Sequence, residues 1–166
     1  MTPSNSTMVL SIDPSGTLSD QSLHSASGYV NYIALLTSPA KAESFLERPY
    51  LPGLKSEGST LFVSEAKGPD QRLGSHVPQA LCEMHAYART VGKATIRGVL
   101  TNGLVWIFLV SEGGGTYLLS SEINLQSGFT GELSRDAVSL VSAIIADWMV
   151  HSHEAVGVDD AYFTLT

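Results

Sequence analysis

One α/β domain with a central mixed β-sheet flanked by helices is the architecture predicted by three observations. Short apolar runs bounded by Gly, Pro and Asn are interleaved with amphipathic stretches, and the stretch from Val77 repeats apolar residues at spacings of three and four. A chain of 166 residues is long enough to bury one substantial core and short of what two cores require. The hydrophobic share is 43% against 15% charged residues, which fits a well-buried sheet and excludes a disordered chain.

Residues 1–27, rich in Ser and Thr with only Met8-Val9-Leu10 as an apolar patch, read as a loosely ordered arm or one edge strand, and 28–166 as the domain proper. Tyr29 to Leu36 mixes two periods, and its continuity favours a helix. Ser38-Pro39 is a helix start, since Ser can cap free N–H groups and Pro suits the first helical position, so a short helix runs to about Arg48. Pro49 and Pro52-Gly53 end it, Glu57-Gly58 turns the chain, and Leu61-Phe62-Val63 opens a strand that closes near Lys67.

After a polar loop, Pro78 introduces a helix whose apolar stripe is Val77, Leu81, Met84, Ala88 and Val91, with Gln79, Glu83 and Tyr87 beside it and Gly92 at its end. Thr95 to Leu100 and Leu104 to Val110, joined at Thr101-Asn102-Gly103, form a hairpin. Gly113-Gly114-Gly115 leads into a strand from Tyr117 to Ser120. A last helix starts near Ser134, with Ala137, Val138, Val141, Ile144, Ile145, Trp148 and Met149 on one broad face. The tail to Thr166 forms a final strand or frays.

The net charge of −7, from 9 basic and 16 acidic residues, excludes a protein that coats nucleic acid through phosphate neutralisation, so any nucleic acid is held locally. The single Cys82 cannot make an intrachain disulfide, and neither a signal peptide nor an apolar span of membrane length is present; an intracellular, cytoplasmic or nuclear setting follows. The apolar, lightly charged composition also suits a homo-oligomer interface.

Three stretches carry chemistry: Leu61-Phe62-Val63-Ser64-Glu65-Ala66-Lys67, then Gln79-Ala80-Leu81-Cys82-Glu83, then Gly98-Val99-Leu100-Thr101-Asn102-Gly103-Leu104-Val105-Trp106-Ile107-Phe108. In this order and spacing, over about residues 50–110, the chain resembles the PD-(D/E)xK superfamily with its restriction endonuclease-like core, in particular the N-terminal nuclease domains of type I restriction subunits and uncharacterised fungal relatives. The resemblance implies a Mg²⁺-dependent (or Mn²⁺-dependent) nuclease or phosphodiesterase, a hydrolase acting on nucleic acid. By the same resemblance Glu65, an upstream acid and the carbonyl of Ala66 hold the metal, Lys67 positions or activates the attacking water, and Gln79 orients Lys67 or the substrate.

The Pro-Asp expected about ten residues before the Glu is not spelled out, and Pro52-Gly53 occupies the comparable place. Glu57 is then the best substitute for the upstream acid, with Glu43 and Glu47 on the preceding helix as alternatives. A lone carboxylate holds Mg²⁺ poorly, so the competing expectation is a catalytically inactive nuclease-like fold serving as a binding or scaffolding module. The remaining signals have plainer readings. His76 and His85 are polar residues near a helix start, His151 and His153 point apart on a helix, Gly113-Gly114-Gly115 lacks the Gly-Lys-Ser/Thr of a phosphate loop, and Cys82 is a small buried side chain.

Overall fold

A computed structural model describes residues 7–12, 15–19, 25–29, 32–48, 60–112, 115–128 and 131–156. In chain order these form β1 (Thr7–Ile12), β2 (Ser15–Ser19), β3 (Ser25–Tyr29), β4 (Tyr32–Thr37), α1 (Pro39–Glu47), β5 (Thr60–Ala66) and α2 (Val77–Val91), then β6 (Ile96–Thr101), β7 (Val105–Ser111), β8 (Tyr117–Leu119), β9 (Ile123–Asn124) and α3 (Arg135–Val150). Seven of these strands make one mixed sheet in the order β1-β4-β5-β6-β7-β8, with β9 also paired to β7, while β2 and β3 pair with each other. All neighbours are antiparallel except β5 and β6, which run parallel because α2 carries the chain back between them. Among the described residues no helix is long and apolar enough to cross a membrane.

The hairpin of β6 and β7 forms where the Asn-Gly signal predicts it, and its strands alternate between two cores. On one face Ile96, Leu100, Ile107 and Leu109 pack with Ile33 and Leu35 of β4, Phe45 of α1 and the α2 stripe of Val77, Met84, Ala88 and Val91. On the other, Val99, Phe108 and Val110 pack with Val141, Ile144 and Trp148 of α3. β6 is therefore buried along its whole length, as a strand covered by helices on both sides must be.

Three local expectations need correction. Tyr29 to Leu36 is no helix: β3 ends at Tyr29 and β4 spans Tyr32–Thr37, with Ile33, Leu35 and Thr37 buried in alternation. Period two decides here, because pairing with both β1 and β5 satisfies the backbone while every second side chain enters the core. Ser38 precedes α1 as expected but makes no side-chain cap; its carbonyl accepts from the amides of Lys41 and Ala42 instead. On the broad face predicted for α3, Val138 is exposed. The turns at Pro52-Gly53 and Glu57-Gly58, the pair Gly113-Gly114 and residues 157–166 lie outside the described residues.

The two longer helices end as their sequences direct. Gly92 closes α2 at φ 69°, a left-handed conformation that lets its amide and that of Lys93 bond the free carbonyls of the last turn. Ser134 opens α3 with its hydroxyl accepting from the Ala137 amide at 3.3 Å. Ser134→Ala removes that acceptor and is expected to cost about 1 kcal/mol in urea denaturation; a loss indistinguishable from zero would mean that the cap contributes nothing.

Candidate functional site

Glu65 is the next-to-last residue of β5 and lies in register with Leu100 of β6. Laterally paired residues point to the same face of a sheet, so its side chain enters the α2 side, where it is 2% exposed. A carboxylate this deep needs a charged or hydrogen-bonded partner. Lys67 supplies one: its Nζ donates to Glu65 Oε1 at 2.6 Å. The Lys67 amide donates to the Thr101 carbonyl at 2.8 Å, which extends the β5–β6 ladder and fixes where the lysine leaves the backbone.

The turn after β6 locks this corner. Asn102 Oδ1 accepts from the amides of Leu104 and Val105, and Gly103 takes φ 90°, which a side chain would resist. Asn102 Nδ2 reaches back to donate to the Pro69 carbonyl at 3.4 Å, so the hairpin turn is tied to the loop that follows Lys67.

From the facing helix, Gln79, Glu83 and Tyr87 arrive at i, i+4 and i+8 along one edge of α2. Lys67 Nζ also donates to Gln79 Oε1 at 3.2 Å, and Gln79 Nε2 donates to Glu83 Oε1 at 2.8 Å. The second oxygen, Glu83 Oε2, is buried and has no hydrogen-bond partner among the described residues. Burial pushes the Glu83 carboxyl above its ordinary value of 4.5; the hydrogen bond from Gln79 and the Lys67 charge oppose the rise, while the neighbouring Glu65 carboxylate adds to it. Glu65 and Glu83 are thus near enough for the charge of one to raise the other's pKa. Tyr87, fully buried beneath them, has its hydroxyl pKa raised by burial and then by the Glu83 charge.

The structure accordingly gathers Glu65, Lys67 and Gln79 in one cluster and adds Glu83, which sequence reasoning placed beside Gln79 without a metal role. Their four-residue spacing was the available signal. Of the upstream acids, Glu43 and Glu47 are exposed on α1, and Glu57 lies outside the described residues. His151 Nδ1 lies 2.9 Å from Asp147 Oδ1, and His153 Nδ1 lies 3.3 Å from the Thr95 carbonyl, so the two imidazoles serve different partners. Cys82 is exposed, contrary to the buried role expected of it, because it falls on the flank of α2 away from the Met84 and Ala88 stripe.

Whether this corner suits a divalent cation turns on its donors. Among the described residues no group of three or more His, Cys, Asp and Glu side chains is placed to hold a metal. A pair of adjacent carboxylates with one oxygen unsatisfied still fits Mg²⁺ or Mn²⁺, which use one or two carboxylates and take their remaining oxygens from water and substrate phosphate. No family model, curated protein or solved structure matches this chain.

Proposed function

We propose that the chain is a nuclease-like phosphodiesterase domain of PD-(D/E)xK type whose acid pair is Glu65 and Glu83. The observation that carries this reading is the buried, unpartnered Glu83 Oε2 beside the Glu65 carboxylate. Two carboxyl groups in so little space repel each other when both are ionised, and only a proton or a cation relieves that repulsion. Mg²⁺ or Mn²⁺ would be held by Glu65 and Glu83, with Ala66 as a carbonyl donor, and would supply Lewis acidity and a local positive charge.

The chain's own residues would do the rest. Lys67, already on the cluster with its ammonium between Glu65 and Gln79, is positioned to receive a phosphate oxygen or to orient a water molecule. Gln79 holds both Lys67 and Glu83, which fixes the distance between the cationic and anionic halves of the site. A net charge of −7 leaves nucleic acid no broad electrostatic surface, so binding must be strongest at this corner.

The test is calorimetric titration with Mn²⁺ alongside cleavage of plasmid, single-stranded DNA and RNA. Uptake of the ion is expected, with cleavage that disappears in Glu65→Ala and Lys67→Ala. Equal cleavage by the parent and both variants would identify a contaminant.

A second reading is a nuclease-like module that binds or scaffolds without cutting. Its support is the 2.6 Å bond in which Lys67 already neutralises Glu65, an arrangement that leaves the site closed on itself. That reading expects no heat on Mn²⁺ addition.

A further inference from the structure

Ala86 is buried on the wrong side of its helix. It stands seven residues after Gln79 and three after Glu83, which places it on their flank of α2 and about 160° around the axis from Met84 and Ala88. It is nevertheless 6% exposed and belongs to neither core. Strands β6 and β7 lie against α2 from the sheet, and β2 lies against it as well. Of these three, β2 alone is outside the sheet, so β2 is the described strand that covers Ala86.

The ribbon of β2 and β3 also leaves the sheet beside the Glu65 corner. Ile12, the end of β1, pairs with Tyr32, the start of β4, and Tyr32 pairs with Ser64, the neighbour of Glu65. The chain between β1 and β4 therefore departs from the end of the sheet that carries Glu65 and Lys67, and β2 comes to rest on the helix flank that carries Gln79 and Glu83. The corner is correspondingly enclosed: the Lys67 side chain is 13% exposed although it follows the last residue of a strand. Neither β2 nor β3 contains a charged residue. A ribbon without Lys or Arg offers phosphate no countercharge, so it bars the way to the corner instead of gripping what arrives.

We propose that the β2–β3 ribbon is a lid over the Glu65 corner that admits a single nucleic-acid strand and excludes a duplex. The substrate class rests on the phosphodiesterase reading above; the lid itself does not. A duplex is stiff over about 150 base pairs and holds its phosphates on the outside of a rod, which cannot enter beneath a ribbon to reach an enclosed lysine. A single strand is thinner and bends.

The test removes the lid. Because Ile12 and Tyr32 are cross-strand neighbours, an Asn-Gly turn can replace residues 13–31 and join β1 directly to β4. Ala86→Gln is the second variant, in which a larger side chain pries β2 away and leaves the Met84 and Ala88 stripe in place. Acetylation of Lys67 by a neutral N-hydroxysuccinimide ester is followed by peptide mass spectrometry, with Lys93, just beyond the end of α2, as the internal standard. Acetylation of Lys67 relative to Lys93 is expected to be several-fold faster in both variants, with unchanged Trp148 emission as the sign of an intact fold. An unchanged ratio in folded Ala86→Gln overturns the lid. Circular single-stranded DNA and a closed duplex circle are then offered with Mn²⁺. The parent is expected to cut only the first, and the variants to cut both. A parent that cuts the two circles alike overturns the selectivity. Faster Lys67 acetylation in the variants with no cutting by any of the three proteins means that the lid stands and that the phosphodiesterase reading, with the substrate assigned here, does not.

Discussion

Glu83→Gln is expected to lower cation-dependent cleavage by about 100-fold while making the folded protein more stable at neutral pH. The loss follows from removing one of two carboxylates in a site that has few oxygens to spare, where even indirect partners of a metal contribute 10- to 100-fold. The gain follows from linkage. Burial raises the folded pKa of Glu83 above the 4.5 of the unfolded chain, so the folded state holds the proton more tightly. The stability this confers is complete below pH 4.5 and is lost as the pH climbs through the folded value, above which a charged carboxylate is confined. Glutamine carries no such charge and can still bond Gln79. Urea midpoints at pH 4 and pH 7 decide the matter: the variant should match the parent at the lower pH and exceed it at the higher. A variant that cleaves normally would falsify the assignment of Glu83 to the acid pair. A midpoint difference of the same size at both pH values would show that packing, and not ionisation, separates the two proteins.

Trp148→Ala is expected to produce the largest loss of stability of any single truncation, about 4 kcal/mol. Trp148 is completely buried, meets Phe108 edge-to-face with centroids 5.3 Å apart, and lies under the guanidinium of Arg97 at 5.1 Å. Its removal therefore opens a void, forfeits the aromatic pair and strips one face from a buried cation. Leu140→Ala on the same helix, where the side chain is 40% exposed, should cost far less. If the two variants unfold at the same denaturant concentration, the second core does not hold α3 to the sheet.

Much of this architecture was legible because the relevant signals are local. The apolar stripe of α2, the hydroxyl cap of α3 and the Asn-Gly turn each reside within a few residues, and each predicts its element. β4 was not, since Tyr32 to Thr37 is decided by neighbours on either side: β1 and β5 come from distant sequence, and only their pairing makes period two prevail over continuity. The site divides in the same way. Glu65 and Lys67 share a strand face and could be linked on spacing alone, and Gln79 could be added by resemblance. That Glu83 meets Glu65 depends on how far α2 sits above β5 and how it is rotated, which no motif states.

The parallel alignment of β5 with β6 fixes when this corner comes into being. Phe62 meets Arg97 and Glu65 meets Leu100 only after the intervening helix has docked, so the pairing is non-local and slow to form compared with a hairpin. The acids, the lysine and the glutamine lie on two elements that meet only in the packed domain, so an excised peptide containing all four is not expected to reproduce their arrangement. Any chemistry at this corner is a product of the finished sheet, which shields the unfolded chain from acquiring it prematurely.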